Sequence, residues 1–479
     1  MCFSKTTHLI ALSFGIQASP TDSTYPETYA ELIICRLHDE KLCFTTNTVK
    51  VATSDLISQY DGPMNTDLVE WKITKDSTIV KLSHDKSKSL CEGNILRKNA
   101  KGKKVVSVPV VLFSDDVGGS STHKWNAFSV WCLMLGGLPK KENNDLQNIL
   151  FLNASNSVSA LELSKPLVAE LKVLENLGVT MYDASLGEEV MVVSPVFLVK
   201  ADNKRQSDVV SHLGSCAVKF CQKCTISRVD DDVTTVGDVR SKQFVQEAIG
   251  KIKDAESESA KKTIRAQYGV TEIENPLMKL ESFDNARSIA YERLHSIELG
   301  LVKVVTQLTF CNMSQHGKDT AAAKLEAFDW SAFGRRLSPS FIEKHKSFLG
   351  RDFKVFAQVA PFILAESIPR EQLIIWHLIS KVFNIVHSGK FSLSDAENLK
   401  ATVNSLLTKL KQTFPELMRK PKIHMLSHLI EDLNMFGPCD CYDTERYFQK
   451  LDNFLILICP KCMTINLFLN VNGSLLVHV

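Results

Sequence analysis

The sequence predicts an α/β protein whose C-terminal half is a large, mainly helical region. Three observations carry that expectation. Val-rich strand patterns alternate with a helical one between about residues 105 and 202. Helical spacing of apolar residues prevails from about 285 to 455. The composition, 44% hydrophobic and 23% charged over 479 residues, is that of a folded chain rather than a disordered one. Such a length holds two to four domains, or one large domain with insertions.

Residues 1–90 alternate short apolar runs with polar stretches and give no firm element. The opening MCFSKTTHLIALSFGIQASP has one Lys, a short apolar run and then Gln-Ala-Ser, a faint likeness to a secretion signal. A first core strand or helix is the plainer reading, because the rest of the chain lacks secreted character. LRKNAKGKKVV follows, with Arg97, Lys98, Lys101, Lys103 and Lys104. It reads as a solvated loop, with a phosphate-backbone contact as the alternative. VVSVPVVLFSD reads as a strand, and WNAFSVWCLMLGGL as a second strand or buried hairpin. SALELSKPLVAELKVLENLG spaces Leu161, Leu167, Leu171, Leu174 and Leu177 as a helix does. EEVMVVSPVFLVKADN reads as one more apolar strand, ending at Asp202. Residues 228–270 are acidic, then mixed in charge, and suggest a surface linker with an exposed helix. In SLSDAENLKATVNSLLTKLKQTF, Ser394 and Glu397 form a capping-box pattern. Leu399, Val403, Leu406, Leu410 and Phe414 make a single apolar stripe there, which is core packing.

A formal net charge of +2 does not mark a nucleic-acid binder globally, so any such role must come from local patches. The thirteen cysteines are odd in number, scattered, and partly set in apolar runs such as WCLMLGGL. They read as reduced thiols rather than a disulfide framework. No apolar stretch reaches the length of a membrane span.

Four constellations could carry chemistry. The first is a pair of buried-type strands that stop at carboxylates, Asp115–Asp116 and Asp202. Converging carboxylates repel and raise each other's pKa, and a divalent cation removes that penalty. Two-metal phosphoryl-transfer sites are built this way and need a third acid, usually from a helix. Ordinary turns also carry Asp at strand ends. The second is Cys221-x-x-Cys224, the spacing of a zinc half-site, with His212 and Cys216 as nearby candidates for the other ligands. A pair of buried or redox-active thiols would look the same. The third is His424 and His428, four apart and so on one helix face, without the Glu of a metalloprotease helix. Helix packing is the plainer reading there. Further on, Glu445 lies at a helix start that Thr444 could cap. The fourth is Glu292 and His295, three apart on an apolar helix, either structural or orienting a site.

Taken in order, KGKKVVSVPVVLFSDDVGGSSTHKWN, WCLMLGGLPK, FLVKADNKRQSDVVSHLGSCAVKFCQKC, YERLHSIELGLVK, GRDFKVFAQVAPFIL and HMLSHLIEDLNMFGP…TERY resemble the transposases of Plavaka-like DNA elements. These are fungal relatives of the CACTA and Kyakuja–Dileera–Zisupton groups, and the likeness runs from about residue 94 to 454. It implies a ribonuclease-H-like core in which three acids hold two magnesium (or manganese) ions. Carried over, those acids are Asp115, with Asp116 as rival, then Asp202 and Glu445, supported by Glu292 and His295. The resemblance divides the chain into a variable region (1–93), a core with the C-x-x-C pair (94–227), a charged linker (228–284), a helical insertion returning to the core (285–455) and an atypical tail (456–479). It implies a nuclear, DNA-binding protein acting on transposon ends and target, with homo-oligomer formation a candidate. Within the first strand, one Asp of the pair is expected to ligate and the other to cap the Gly118–Gly119 turn.

The tail LILICPKCMTINLFLNVNGSLLVHV departs from the family's polar helix, and no N-terminal DNA-binding module stands out. Both departures suggest a partial or degenerate copy. Two other readings therefore stand beside a DDE-type transposase. One is a non-catalytic DNA- or protein-binding remnant; the other is a zinc hydrolase using His424 and His428.

Overall fold

The structure is a computed structural model that describes residues 7–17, 27–38, 41–52, 70–73, 79–82, 95–118, 127–138, 142, 145–230, 234–389, 391–444, 467–469 and 475–477. It divides into two units, residues 1–102 and 103–479. In the first, β1 (Thr7–Gln17), β2 (Glu27–His38), β3 (Lys41–Ala52), β4 (Glu70–Ile73) and β5 (Ile79–Leu82) form an antiparallel sheet in the order β1-β2-β3-β5-β4. A short helix, α1 (Ile95–Ala100), follows.

The second unit is mixed α/β. Its central sheet has the order β12-β7-β8-β9, from β7 (Val110–Gly118), β8 (Ala127–Leu135), β9 (Leu150–Ser155) and β12 (Val196–Lys200). β7, β8 and β9 run as an antiparallel meander, and β12 returns parallel to β7. Beyond β12, Ile289 makes one parallel bridge to Val199. Between β9 and β12 come α2 (Ala160–Asn176), β10 (Val179–Asp183) and β11 (Glu188–Val193), the last parallel to β6 (Lys104–Ser107).

EEVMVVSPVFLVKADN is therefore two strands in two sheets, not one. Pro195 separates β11 from β12, and a residue without an N–H cannot continue a ladder. Its carbonyl instead accepts from Val110 N at 2.9 Å. Lys103 and Lys104, at the start of this unit, ion-pair with Glu189 (2.9 Å) and Glu188 (2.7 Å) on β11.

Residue alternation explains how the central sheet is covered. Val111, Phe113 and Val117 face one core, which the helical half completes. Val110 and Leu112 face a second core built with α2 and α4 (Lys242–Lys253). So within 228–284, α4 buries Val245, Ala248, Ile249 and Ile252, while α5 (Glu258–Tyr268) buries none.

α2 begins with a capping box. Ser159 Oγ accepts from Glu162 N, and Glu162 accepts from Ser159 N at 3.1 Å. Ser159→Ala is expected to cost about 1 kcal/mol, read as a lower denaturation midpoint at unchanged slope.

The helical half holds α6 (Lys303–Asn312), α7 (Gln315–Ala327), α8 (Gly350–Leu364), α9 (Arg370–Val386), α10 (Leu393–Thr413), α11 (Pro421–His424) and α12 (Leu429–Phe436). A π-helix, Leu294–Val302, leads into α6. The expected stripe on α10 is buried from Leu399 to Phe414. Its capping box, however, is Ser392 with Asp395, not Ser394 with Glu397. Ser394 instead lies inside the first turn, with its hydroxyl 2.9 Å from that of Ser392. Among the described residues, no helix is long and apolar enough to cross a membrane.

Candidate metal centre and the cleft beside it

Two half-sites that lie far apart in sequence meet. Cys221 and Cys224 sit on the loop after α3 (Asn203–Val209), while His424 ends α11 and His428 precedes α12. One ligand atom from each of the four lies within 4.8 Å of the others, and all four residues are buried. Cys221 Sγ is 3.4 Å from His428 Nε2, and Cys224 Sγ is 3.3 Å from His424 Nε2. The two Nε2 atoms are 3.2 Å apart. Tetrahedral zinc, with Zn–S near 2.3 Å and Zn–N near 2.0 Å, has S···N edges of about 3.5 Å and N···N edges of about 3.3 Å. These two S···N distances and the N···N distance match such edges within a few tenths of an ångström.

The surroundings prepare the thiolate. Lys223 N and Cys224 N donate to Cys221 Sγ at 3.3 and 3.4 Å. Burial alone would keep the Cys221 thiol protonated. Hydrogen bonds with Cys224, His424 and His428 outweigh it and pull the thiol well below its usual range. For His428, burial opposes protonation, but Cys221 and Glu431 prevail and raise it to about 9. A metal would displace that proton, as metal binding generally does. Glu431 lies 3.6 Å from His428 Nδ1, an ion-pair distance longer than a hydrogen bond. A buried ion pair between Lys223 and Asp432 fastens the cysteine loop to α12.

His212 and Cys216 stay outside the cluster. His212 Nε2 bonds to the Lys219 carbonyl at 2.9 Å, and its Nδ1 accepts from Gly214 N at 3.0 Å. Burial, reinforced by Arg240, lowers it to about 3. Cys216 is exposed. The turn that follows α3 consumes both ring nitrogens of His212, so the ligands come from the other half of the chain.

The carboxylates form a second focus. Asp115 does not end its strand: β7 runs on to Gly118, with Asp115 opposite Val130 and Asp116 opposite Ser129 on β8. Alternation puts Asp115 on the face covered by the helical half, where it is 6% exposed. Its Oδ1 accepts from Asp116 N at 2.7 Å, and its Oδ2 is buried without a hydrogen-bond partner among the described residues. Burial and then the charge of Asp202 raise Asp115 to about 7, against the opposing Asp116 N–H and Arg205. Asp202 follows β12 and caps α3 through Arg205 N (2.7 Å). The turn that Asp116 or Asp115 is expected to cap, from Gly118 to Gly119, runs outside the described residues. Asp116 ion-pairs with Arg205 and accepts from Ser129 Oγ at 2.9 Å, because the continuing ladder places it opposite Ser129. Gly119 and Glu445 lie outside the described residues.

Glu292 is buried and holds His295 through Nδ1, while it accepts from His295 N and Leu294 N, each at 2.7 Å. Burial works against protonation of His295, but Glu292, with help from Asp202, raises its pKa. Asp202 and His295 both line a cleft of about 700 Å³. Gln222, inside the C-x-x-C loop, donates to Asn203 O and Ser207 Oγ, both at 2.7 Å. The metal-type cluster and the start of α3 are thus one connected piece. No family model matches this chain, and a search of curated proteins found no relative. Fold and site define a mixed α/β protein with a buried metal-type cluster of two cysteines and two histidines beside a cleft lined by Asp202, Asp208 and three lysines.

Proposed function

We propose that this chain is a DDE-type transposase-like protein that cleaves and joins DNA strands with magnesium or manganese. The observation that carries the reading is the buried, unpartnered Oδ2 of Asp115 beside the second strand-end carboxylate, Asp202. A lone buried carboxylate oxygen is costly, and a divalent cation is the partner that two such groups fit. The meander β7-β8-β9 with β12 parallel to β7, and Ile289 beyond it, fits a ribonuclease-H-like core. Asp115 and Asp202 would hold the ion, with Glu445 as the third acid. Bound there, it would supply Lewis-acid activation of an attacking oxygen and stabilisation of a leaving one. Arg205 keeps Asp116 engaged. His295, oriented by Glu292, presents its other ring nitrogen to the cleft as a proton donor.

The two-cysteine, two-histidine cluster takes a structural zinc in this reading. Four protein ligands close the coordination sphere, whereas a hydrolase keeps one position open. The arrangement therefore disfavours a zinc hydrolase built on His424 and His428.

The test is nicking of duplex DNA with added magnesium or manganese. Wild type should nick, and Asp202→Asn should lose at least roughly a hundredfold in rate, as loss of a metal-holding or charge-stabilising group does. Nicking that survives in both Asp115→Asn and Asp202→Asn would sink the reading. A fold and zinc content that persist without any nicking would favour the non-catalytic remnant.

A further inference from the structure

The cleft beside Asp202 has two basic lips. On one side Lys204 opens α3; on the other, Lys420 and Lys422 come from the segment that enters α11. Lys204 and Lys420 are exposed, and Lys422 is half-buried. The second lip is fixed at several points. His424, two residues after Lys422, belongs to the metal-type cluster. Arg228 Nη1 donates to Arg419 O at 2.9 Å. Lys422 Nζ donates to Leu299 O, a carbonyl of the π-helix, at 3.0 Å. Gly300 makes that crossing feasible, since a Cβ there would lie 3.2 Å from Lys422 Cδ. The Lys422–Leu299 bond fixes the ammonium beside the cleft and leaves its other two protons to donate.

The charges in the cleft oppose one another. Asp202 and Asp208 would repel an anion, while Lys204, Lys420, Lys422 and a protonated His295 would attract one. The lysines outnumber the two acids, and a divalent cation on the acids would remove the remaining repulsion. A ligand that suits this layout is an extended polyanion that reaches both lips and the floor, which is the backbone of a DNA strand.

Resting on the function proposed above, we infer that Lys204, Lys420 and Lys422 are the phosphate clamps of the cleft, seating a DNA strand across Asp202 and His295. The contacts read phosphate rather than base, so they set position and affinity, not sequence.

The experiment is fluorescence anisotropy of the full-length chain with a labelled duplex carrying a single-stranded overhang. It is run in calcium over a range of salt concentrations. Lys204→Gln and Lys420→Gln sit on exposed side chains and should fold normally. Each is expected to weaken binding roughly three- to tenfold and to flatten the plot of log affinity against log salt by about one unit. Lys422→Gln should do the same, and Lys422→Arg should restore most of the loss. Lys262→Gln, on exposed α5, should change neither quantity. Unchanged slopes in Lys204→Gln and Lys420→Gln would overturn the clamp, as would binding of an RNA strand but no DNA.

Manganese binding, followed by electron paramagnetic resonance in the same proteins, separates the two ideas. Unchanged slopes with manganese bound through Asp115 and Asp202 would remove the clamp and leave the proposed function standing. Flattened slopes without manganese binding would keep the clamp and remove the proposed catalysis.

Discussion

Replacing Cys224 by serine is expected to abolish zinc binding and to lower the melting temperature by on the order of 10 °C. Cys224 and His424 are 200 positions apart in sequence, so a metal held between them closes a very long loop. By the loop-entropy relation for cross-links, such a closure restricts the unfolded chain by about 5 kcal/mol. Breaking it also strands buried groups: Cys221, His424 and His428 would be left to satisfy one another. Wild type should carry one zinc per chain by elemental analysis, and Cys224→Ser essentially none. His212→Asn and Cys216→Ser should keep their zinc, because neither residue joins the cluster. The ligands must be deprotonated to bind, so zinc should leave as pH falls. Wild type without zinc, or zinc lost from Cys216→Ser, would contradict the assignment.

A second large effect is a gain rather than a loss. Asp115→Asn should stabilise the protein at pH 8 without added divalent metal, while removing its response to magnesium. Burial and the charge of Asp202 push the Asp115 carboxyl up to about 7, from an ordinary 3.8. A carboxyl raised on folding binds its proton more tightly in the native state. Stability is therefore highest below the unfolded value and declines as pH rises toward 7. Above that the penalty levels off, at an upper limit of about 4 kcal/mol. Asparagine cannot ionise and escapes it. Melting curves of the two proteins should coincide near pH 4 and separate progressively up to pH 8. Magnesium at pH 8 should then raise the melting temperature of wild type only, since binding to the native state stabilises it by mass action. Equal melting temperatures at pH 8 would show that Asp115 carries no such burden. This trade of stability for a charged site is common where groups serve chemistry rather than packing.

Much of the local structure could be read directly. Leu399, Val403, Leu406, Leu410 and Phe414 recur at helical spacing, and one helix buries them all. VVLFSDD reads as an apolar strand, as does the end of EEVMVVSPVFLVKADN, and the two pair in parallel at one side of the four-stranded sheet. Asp202 does follow its strand; Asp115 does not end its own, because β8 goes on pairing past Ser129. The cap of α10 was misplaced by two residues, since Ser392 with Asp395 and Ser394 with Glu397 share the same pattern of residue types. One signal for the metal centre was in view. Cys221-x-x-Cys224 and His424-x-x-x-His428 each supply two ligands at half-site spacing, and zinc wants four.

The sequence by itself determined the periodic elements, the apolar faces, and the two pairs of ligands, because those depend on spacings of two to four residues along one strand, turn or helix. Only the tertiary structure decided that the cysteines take the distant histidines rather than His212 and Cys216. That choice depends on packing across 200 positions, fixed by the Lys223–Asp432 pair and by hydrogen bonds that already occupy His212. Which core each face of β7 joins was decided in the same way. The helical half packs on the face carrying Val111, Phe113 and Val117, so Asp115 is buried while Asp116 keeps access to water and to Arg205.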